Sequence, residues 1–261
     1  MSCPQHLRQP PSSLPNSPPS CLLPVACCLL PVACCLLPVA CCLFPLPPSP
    51  MSPIIFCDFD GTITLEDTFV STVERFAPDV ASRVLPQIYD LRLSLQEGVH
   101  QMLEAIPSAC YPELLNLAAT YEIRPGFVEL LDFLDECNVP LVVVSGGIEA
   151  IVEGVLGELS QRVQGIHAVK LDTQGTYCSP YSEFEGEGEM LNKLAVIQHY
   201  GEPDWILIGD SVTDLKAALA APRVFARDRL CQYLAKCGVP YEPFETFIQV
   251  RDRLSQVWKE S

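Results

Sequence analysis

Three short apolar runs in this chain each end in a turn of small or acidic residues. The runs cover residues 54–59, 140–144 and 204–208, and predicted helices lie between them. Apolar runs of this length that alternate with helical segments are typical of parallel strands buried on both faces. The predicted fold class is therefore α/β, with a doubly wound parallel sheet. Ligands of such sheets bind beyond the carboxyl ends of the strands, so the three turns are candidate site segments.

The first run ends in Asp58-Phe59-Asp60-Gly61-Thr62, which places one residue between two aspartates. Residues i and i+2 of a strand point to the same side, so both carboxylates can face one site. Close carboxylates repel each other, which lets one stay ionised as nucleophile or metal ligand while the other holds a proton as general acid. A solvated turn that caps the strand is the competing interpretation, and this segment alone does not decide between them.

The second run ends in Ser145-Gly146-Gly147. The Ser145 hydroxyl and the Gly146 amide can both donate to an anion, and glycine lets the backbone approach a ligand closely. A helix is predicted from Ile148, and its N-terminal dipole would favour the same anion. Ordinary strand-to-helix turns have similar compositions, so this motif is weak by itself.

The third run ends in Gly209-Asp210, and Asp214 follows in the first turn of a predicted helix. An aspartate at a strand tip suits Mg²⁺, which binds through one or two carboxylates and phosphate oxygens. Compensation of the helix dipole would also explain Asp214. Lys193, early in predicted helix 190–200, would by itself be interpreted as a solvated lysine. Only its occurrence in the same chain as these three motifs suggests a role in the site.

The order and content of these four elements resemble the haloacid dehalogenase-like phosphohydrolases, from Pro53 to about Val257. The resemblance implies an Mg²⁺-dependent phosphomonoester hydrolase in which Asp58 attacks phosphorus and forms an aspartyl-phosphate. Asp60 would act as general acid and then general base, and a dehalogenase would be expected to lack it. The resemblance assigns the other roles as follows: Mg²⁺ ligands Asp58, the Asp60 carbonyl and Asp210; a supporting residue Asp214; and phosphate-binding groups Ser145, Gly146 and Lys193.

Residues 65–122, between the first and second motifs, have the pattern of about four helices. Their place in the chain resembles the helical cap of the phosphoserine-phosphatase-like branch, and such a cap would close over the site and exclude water. Residues 51–64 and 123–261 would then form the core. Asp67, where the chain enters the cap, is the candidate substrate contact, with helix N-capping as the competing role.

Whole-motif similarity narrows the substrate class. Residues 58–64, 208–214 and 225–228 resemble phosphatases of methionine salvage, which implies hydrolysis of an enol-sugar-like monoester. Arg227 would add positive charge near that site. Three alternatives stay open: a phosphoserine phosphatase, a broad phosphatase of pyridoxal phosphate or similar metabolites, and an inactive phosphate- or metal-binding module.

Composition limits the partners. The chain has 32 acidic and 16 basic residues, for a net charge of −16, and it shows no basic stripe. Nucleic-acid partners are therefore not expected, because phosphate backbones recruit Lys and Arg. The expected partner is a small phosphorylated metabolite. The six cysteines after Met51 lack metal-type spacing and are typical of reduced thiols in a cytoplasmic protein.

The first fifty residues have a different composition. Cys-Leu-Leu-Pro-Val-Ala-Cys occurs three times in tandem over residues 21–41, and 8 of the 14 cysteines precede Met51. Proline recurs every seven residues there, and each would cost a helix interior roughly 3 kcal/mol, so no membrane span is predicted. We expect residues 1–50 to be disordered and Met51 to be the native start.

Overall fold

The computed structural model describes residues 53–201 and 203–260 of the chain, so the prediction for residues 1–50 lies outside the described part. The sheet contains seven strands in this part. They are β1 (Ile54–Cys57), β2 (Leu141–Ile148), β3 (Gly165–Asp172), β4 (Ser179–Tyr181), β5 (Trp205–Gly209), β6 (Arg223–Ala226) and β7 (Glu242–Pro243).

The spatial order of the strands is β4-β3-β2-β1-β5-β6-β7. All neighbours pair in parallel except β3 and β4, which form an antiparallel hairpin. Strand β1 lies in the middle of the sheet, β2 to β4 follow on one side of it, and β5 to β7 follow on the other. This order confirms the doubly wound α/β prediction and places the switch point of the sheet at β1.

Ten α-helices flank or extend this sheet in the described residues, and none is long and apolar enough to cross a membrane. The first four lie within residues 65–122, where the helical pattern predicts about four. The helices are α1 (Thr68–Phe76), α2 (Pro78–Tyr89), α3 (Leu95–Leu103), α4 (Tyr111–Leu117), α5 (Phe127–Cys137), α6 (Glu149–Leu156), α7 (Lys193–Tyr200), α8 (Leu215–Ala220), α9 (Asp228–Cys237) and α10 (Phe247–Glu260).

Both faces of the sheet are covered, as expected for parallel strands. Ile55 and Cys57 of β1 belong to a buried cluster with residues of α5 and α10, whereas Phe56 belongs to a cluster with residues of α7, α8 and α9. A third cluster joins α1 to α4 with Ile148 at the end of β2 and with Val169 of β3, which pairs with it. The strand alternation therefore places Cys57 in the core, and the first four helices pack at the carboxyl end of the sheet.

Two boundaries near the motifs differ from the predicted ones. Helix α7 begins at Lys193 because the Asn192 side chain accepts a hydrogen bond from Ala195 N (3.1 Å) and caps the helix there. Strand β2 continues to Ile148, which pairs with Val169 of β3 beyond an irregularity in the ladder. The second motif consequently lies at the end of a strand and not in a separate turn.

Candidate active site

The loop that follows β1 carries both aspartates of the first motif. The chain leaves the strand at Cys57 and turns at Gly61, whose φ of +74° favours glycine. A Cβ at Gly61 would lie 2.5 Å from a carboxylate oxygen of Asp210. Glycine at this position therefore lets the first motif pass directly beside the third.

Arg124 holds this loop in place. Its buried side chain donates from Nε to the Thr62 carbonyl at 2.8 Å. Its Nη2 donates to the carbonyls of Gly61 and Thr64 at 2.7 and 3.0 Å. Arg227 adds a contact from Nη1 to the Gly61 carbonyl at 3.3 Å. No sequence motif marks Arg124, and only the fold shows that it binds three backbone carbonyls of this loop.

Asp58, Lys193 and Asp214 form a buried charged cluster at the strand ends. Lys193 Nζ donates to Asp58 Oδ1 at 2.5 Å and to Asp214 Oδ1 at 2.6 Å. The Thr62 hydroxyl donates to Asp58 Oδ2 at 3.0 Å. The three charged side chains are at most 4% exposed. Lys193 is thus no solvated lysine, and the fold brings it to an aspartate 135 positions away.

The electrostatics of this cluster keep the lysine charged. Burial opposes the charge of Lys193, but the carboxylates of Asp214 and Asp58 outweigh it and raise the Lys193 pKa. Burial and the charge of Asp58 raise the pKa of Asp214 to about 6, against the opposing effect of Lys193. Two carboxylates therefore share one permanent cation.

Asp60 is held by neutral donors from α1 and β2. The backbone N–H and the hydroxyl of Thr68 donate to its Oδ1 at 2.9 and 2.6 Å. The Ser145 hydroxyl donates to its Oδ2 at 2.9 Å and accepts from the Gly147 amide at 2.9 Å. The hydroxyl that the sequence predicts as a phosphate ligand therefore contacts the second aspartate in this structure. Thr68 has no motif that would have marked it.

Asp210 has a buried carboxylate oxygen, Oδ1, without a hydrogen-bond partner in the described part of the chain. Burial and the charges of Asp58 and Asp214 raise its pKa to about 9. Carboxylate oxygens of these three aspartates lie within 4.8 Å of one another. A hard divalent cation would bind the unpartnered oxygen and offset the repulsion, so the donors present fit such an ion.

Asp214 is less available than its neighbours for direct contact with a cation. Its Oδ1 accepts from Lys193, and its Oδ2 accepts from the backbone amides of Asp210 and Ser211 at 3.1 Å each. These bonds fix the turn that carries Asp210. The geometry is compatible with the supporting role that the sequence predicts for Asp214.

A cavity of about 150 Å³ opens beside the carboxylates. Both aspartates of the first motif line it, and so do residues of α1 and α3. The predicted site residues that line it are Asp58, Asp60, Asp67, Gly146, Lys193 and Asp210. Its apolar lining side chains are Phe69, Leu95, Val99, Met190 and Leu191.

A family model described as haloacid dehalogenase-like hydrolase matches residues 55–219, which is more than half of the chain. The chain belongs to the haloacid dehalogenase-like hydrolase family. Several relatives carry the name 2-hydroxy-3-keto-5-methylthiopentenyl-1-phosphate phosphatase. The one from Microcystis aeruginosa is 44% identical over 206 residues, 78% of this chain and 98% of the relative. The one from Bacillus thuringiensis subsp. konkukian (strain 97-27) is 38% identical over 215 residues, 79% of this chain and 98% of the relative.

Solved structures with the same fold include phosphoserine phosphatases. A substrate-bound phosphoserine phosphatase complex gives a TM-score of 0.61 at 14% identity, covering 77% of this chain and 98% of that one. The phosphoserine phosphatase from T. onnurineus in complex with NDSB-201 gives a TM-score of 0.60 at 15% identity, and the match covers 80% of this chain and 96% of that one. At such identities the likeness concerns the fold alone, and it confirms the predicted haloacid dehalogenase-like architecture.

Asp67 has one of the two roles that the sequence leaves open for it, the N-cap of α1, and it also faces the cavity. Its carboxylate accepts from Val70 N at 2.9 Å and so caps α1, and its side chain also lines the cavity. Although the residue is exposed at the cavity mouth, the surrounding protein desolvates its carboxyl, and with the charge of Asp60 this raises the Asp67 pKa to about 7. Any role toward substrate remains a prediction.

In this haloacid dehalogenase-like hydrolase, we expect Arg124→Met to weaken both the fold and the catalytic loop. Loss of a charged donor leaves loop carbonyls buried without partners, which costs about 2–3 kcal/mol of unfolding free energy. The loop then holds its two aspartates less firmly, and kcat/KM should fall at least about tenfold. Urea unfolding and steady-state phosphate release measure the two effects. Arg83→Met, on the exposed face of α2, is the matched control; equal behaviour of the two variants would contradict the loop-holding role.

Proposed function

We propose that this protein is an Mg²⁺-dependent phosphomonoester hydrolase that acts through an aspartyl-phosphate on Asp58. The observation that carries the proposal is the setting of that carboxylate. It is buried at a strand end, bonded to Lys193 and Thr62, and lines a cavity together with Asp60. A carboxylate positioned by a lysine and a second acid suits covalent phosphoryl transfer, which depends mainly on positioning and charge neutralisation.

The chain's own residues supply the proton and charge chemistry. In the first step, a carboxylate oxygen of Asp58 forms a bond to phosphorus while the bond to the leaving oxygen breaks, and Asp60 gives that oxygen a proton. In the second step, Asp60 takes a proton from water as the water oxygen attacks phosphorus, which releases phosphate and restores Asp58. Lys193, the Gly146 amide and the Ser145 hydroxyl would bind the phosphoryl oxygens.

Mg²⁺ is the cofactor that the family implies, and the donors fit it. Asp58, Asp210 and the backbone carbonyl of Asp60 would hold the ion, with Asp214 as support. The unpartnered Oδ1 of Asp210 is the feature of this site that supports the assignment. When bound, the ion would neutralise phosphoryl charge beside these carboxylates.

For the substrate, we propose 2-hydroxy-3-keto-5-methylthiopentenyl-1-phosphate, as in methionine salvage. The names of the two relatives support this choice. The cavity supports it as well. Lys193 is the cationic side chain among its lining residues in the described part, and it is already bonded to two carboxylates. A phosphoserine carboxylate would find no free cation among these lining residues, which disfavours that alternative.

Residues 65–122 are proposed as a cap over a core of residues 51–64 and 123–261. Two observations support a covering role. Phe69, Leu95 and Val99 from this segment line the cavity, and Thr68 bonds to Asp60. We infer a cytoplasmic location, which is supported by the free thiols of Cys57, Cys110, Cys137, Cys178 and Cys231.

Phosphate release by the full-length protein tests this proposal. The assay compares the methylthio-enol phosphate, phosphoserine and pyridoxal phosphate, with and without Mg²⁺. Selectivity for the enol phosphate that requires Mg²⁺ would support the proposed substrate. Equal turnover of all three would keep the reaction and overturn the substrate. No turnover of any compound would leave a phosphate- or metal-binding module.

A further inference from the structure

Five apolar side chains share the cavity with the reacting carboxylates. Phe69 lies on α1, Leu95 and Val99 lie on α3, and Met190 and Leu191 precede α7; together they are called the apolar wall. Val99, Met190 and Leu191 are buried, whereas Phe69 and Leu95 are half-buried. The wall therefore offers apolar surface to a ligand without being a loose surface patch.

Most of the apolar wall is formed by two segments that are bonded to each other, helix α3 and the segment that precedes α7. Leu95 and Val99 are four residues apart on one helix, so their side chains lie on the same face. Gln96 N donates to the Gly188 carbonyl at 2.8 Å, which ties the start of α3 to the segment that leads into Met190. Of these residues, Val99 and Met190 belong to the same buried cluster.

Polar bonds strengthen the same connection. Gln96 Nε2 donates to Glu185 Oε1 at 2.7 Å, and His100 Nε2 lies 3.0 Å from that oxygen. Ser94 caps α3 with a reciprocal pair of bonds to Glu97. The position of Leu95 is therefore set by the backbone on both sides of it and does not depend on a ligand.

The wall also differs in charge from the rest of the cavity. The polar part holds Asp58, Asp60, Asp67 and Asp210 together with Lys193, whose charge is already shared by two carboxylates. An anionic or strongly hydrated tail on the substrate would therefore find no free cation among these lining residues. An apolar tail would gain by leaving water. The phosphoryl group must lie at Asp58, and only the alcohol part of the monoester remains to meet the wall.

We propose that the apolar wall binds an uncharged, apolar tail on the alcohol part of the substrate, and that Leu95 and Val99 are specificity-determining residues. This inference rests on the proposed hydrolase function and names the chemical class of its leaving group. A thioether end is such a tail. A carboxylate or hydroxyl end is not, because it would lose hydration against side chains that cannot replace it.

The test uses two simple monoesters that lack the enol group, 5-(methylthio)pentyl phosphate and 5-hydroxypentyl phosphate. The full-length protein should favour the methylthio compound in kcat/KM by about 10- to 100-fold. Leu95→Asn should lower this ratio at least about fivefold by acting on the methylthio compound alone. Leu115→Asn, on α4 with the leucine 41% exposed, is the matched control and should keep the ratio.

Val99→Thr provides a second variant that keeps the shape of the side chain and replaces one methyl group by a hydroxyl. It should also lower the ratio of the two kcat/KM values. The inference therefore stays testable if Leu95→Asn fails to fold. An unchanged ratio in both variants, or an equal loss for both compounds, would overturn the inference. These esters lack the enol group, so their result is independent of the enol-phosphate assay. If the enol phosphate is not hydrolysed but the methylthio ester is strongly preferred over the hydroxy ester, only the named substrate is overturned.

Discussion

Asp58→Asn is expected to abolish turnover, with a fall in kcat of at least about 10⁴-fold, as for other covalent nucleophiles. The amide has nearly the same shape, but it is a poor nucleophile and carries no charge. The substituted side chain can still accept from Lys193 or Thr62, so the surrounding bonds are largely kept. The loss should therefore come from the chemical step and not from the fold.

Two measurements separate these causes for Asp58→Asn. Phosphate release gives kcat, and mass spectrometry of rapidly quenched protein detects a phosphoryl group on Asp58 in the wild type. Asp204→Asn, at an exposed position before β5, is the matched control and should keep both activity and phosphorylation. Substantial turnover by Asp58→Asn would contradict the aspartyl-phosphate mechanism. A phosphoryl group found on another residue would do the same.

Much of the site follows from local patterns in the sequence. Asp58, Asp60 and Asp210 each follow an apolar run, and the parallel order of β1 and β5 brings the ends of those runs together. The physical reason is that strand ends of a parallel sheet share one edge, so a residue's place along its own strand fixes its place in the site.

Other parts of the site could not be predicted because they depend on contacts between distant segments. Arg124 and Thr68 have no motif, and their functions appear only when their partners' positions are known. The direction of the Ser145 hydroxyl is set by its contacts with Asp60 and Gly147. Strand β7 has two residues, too few to show any alternation.

The apolar wall illustrates the same limit. In the sequence, Leu95 and Val99 are ordinary apolar positions of a helix, and Met190 lies almost a hundred positions away. Their common cavity depends on how α3 packs at the carboxyl end of the sheet. Patterns within one element predict which face is apolar, but they do not predict which apolar side chains will meet a ligand.

Lys193→Met is expected to lower stability and activity together. The substitution leaves Asp58 and Asp214 buried without their common cation, and breaking a buried pair in this way costs about 3–5 kcal/mol of unfolding free energy. The phosphoryl group also loses its proposed lysine ligand, so kcat should fall at least about 10²-fold. Lys216→Met, which removes a half-exposed lysine paired with Glu187 and Glu189, is the matched control.

The pH dependence of the Lys193→Met effect identifies its cause. In the wild type the pKa of Asp214 is about 6, above its ordinary value of 3.8, so between these values the folded state binds more protons and stability falls as pH rises. Lys193 lowers the pKa of Asp214, so in Lys193→Met this pKa is higher and the fall in stability continues to higher pH. Urea unfolding at about pH 5 and about pH 8 should therefore show the larger loss at the higher pH. A loss independent of pH would indicate a packing defect, because a missing methylene or a changed shape does not titrate.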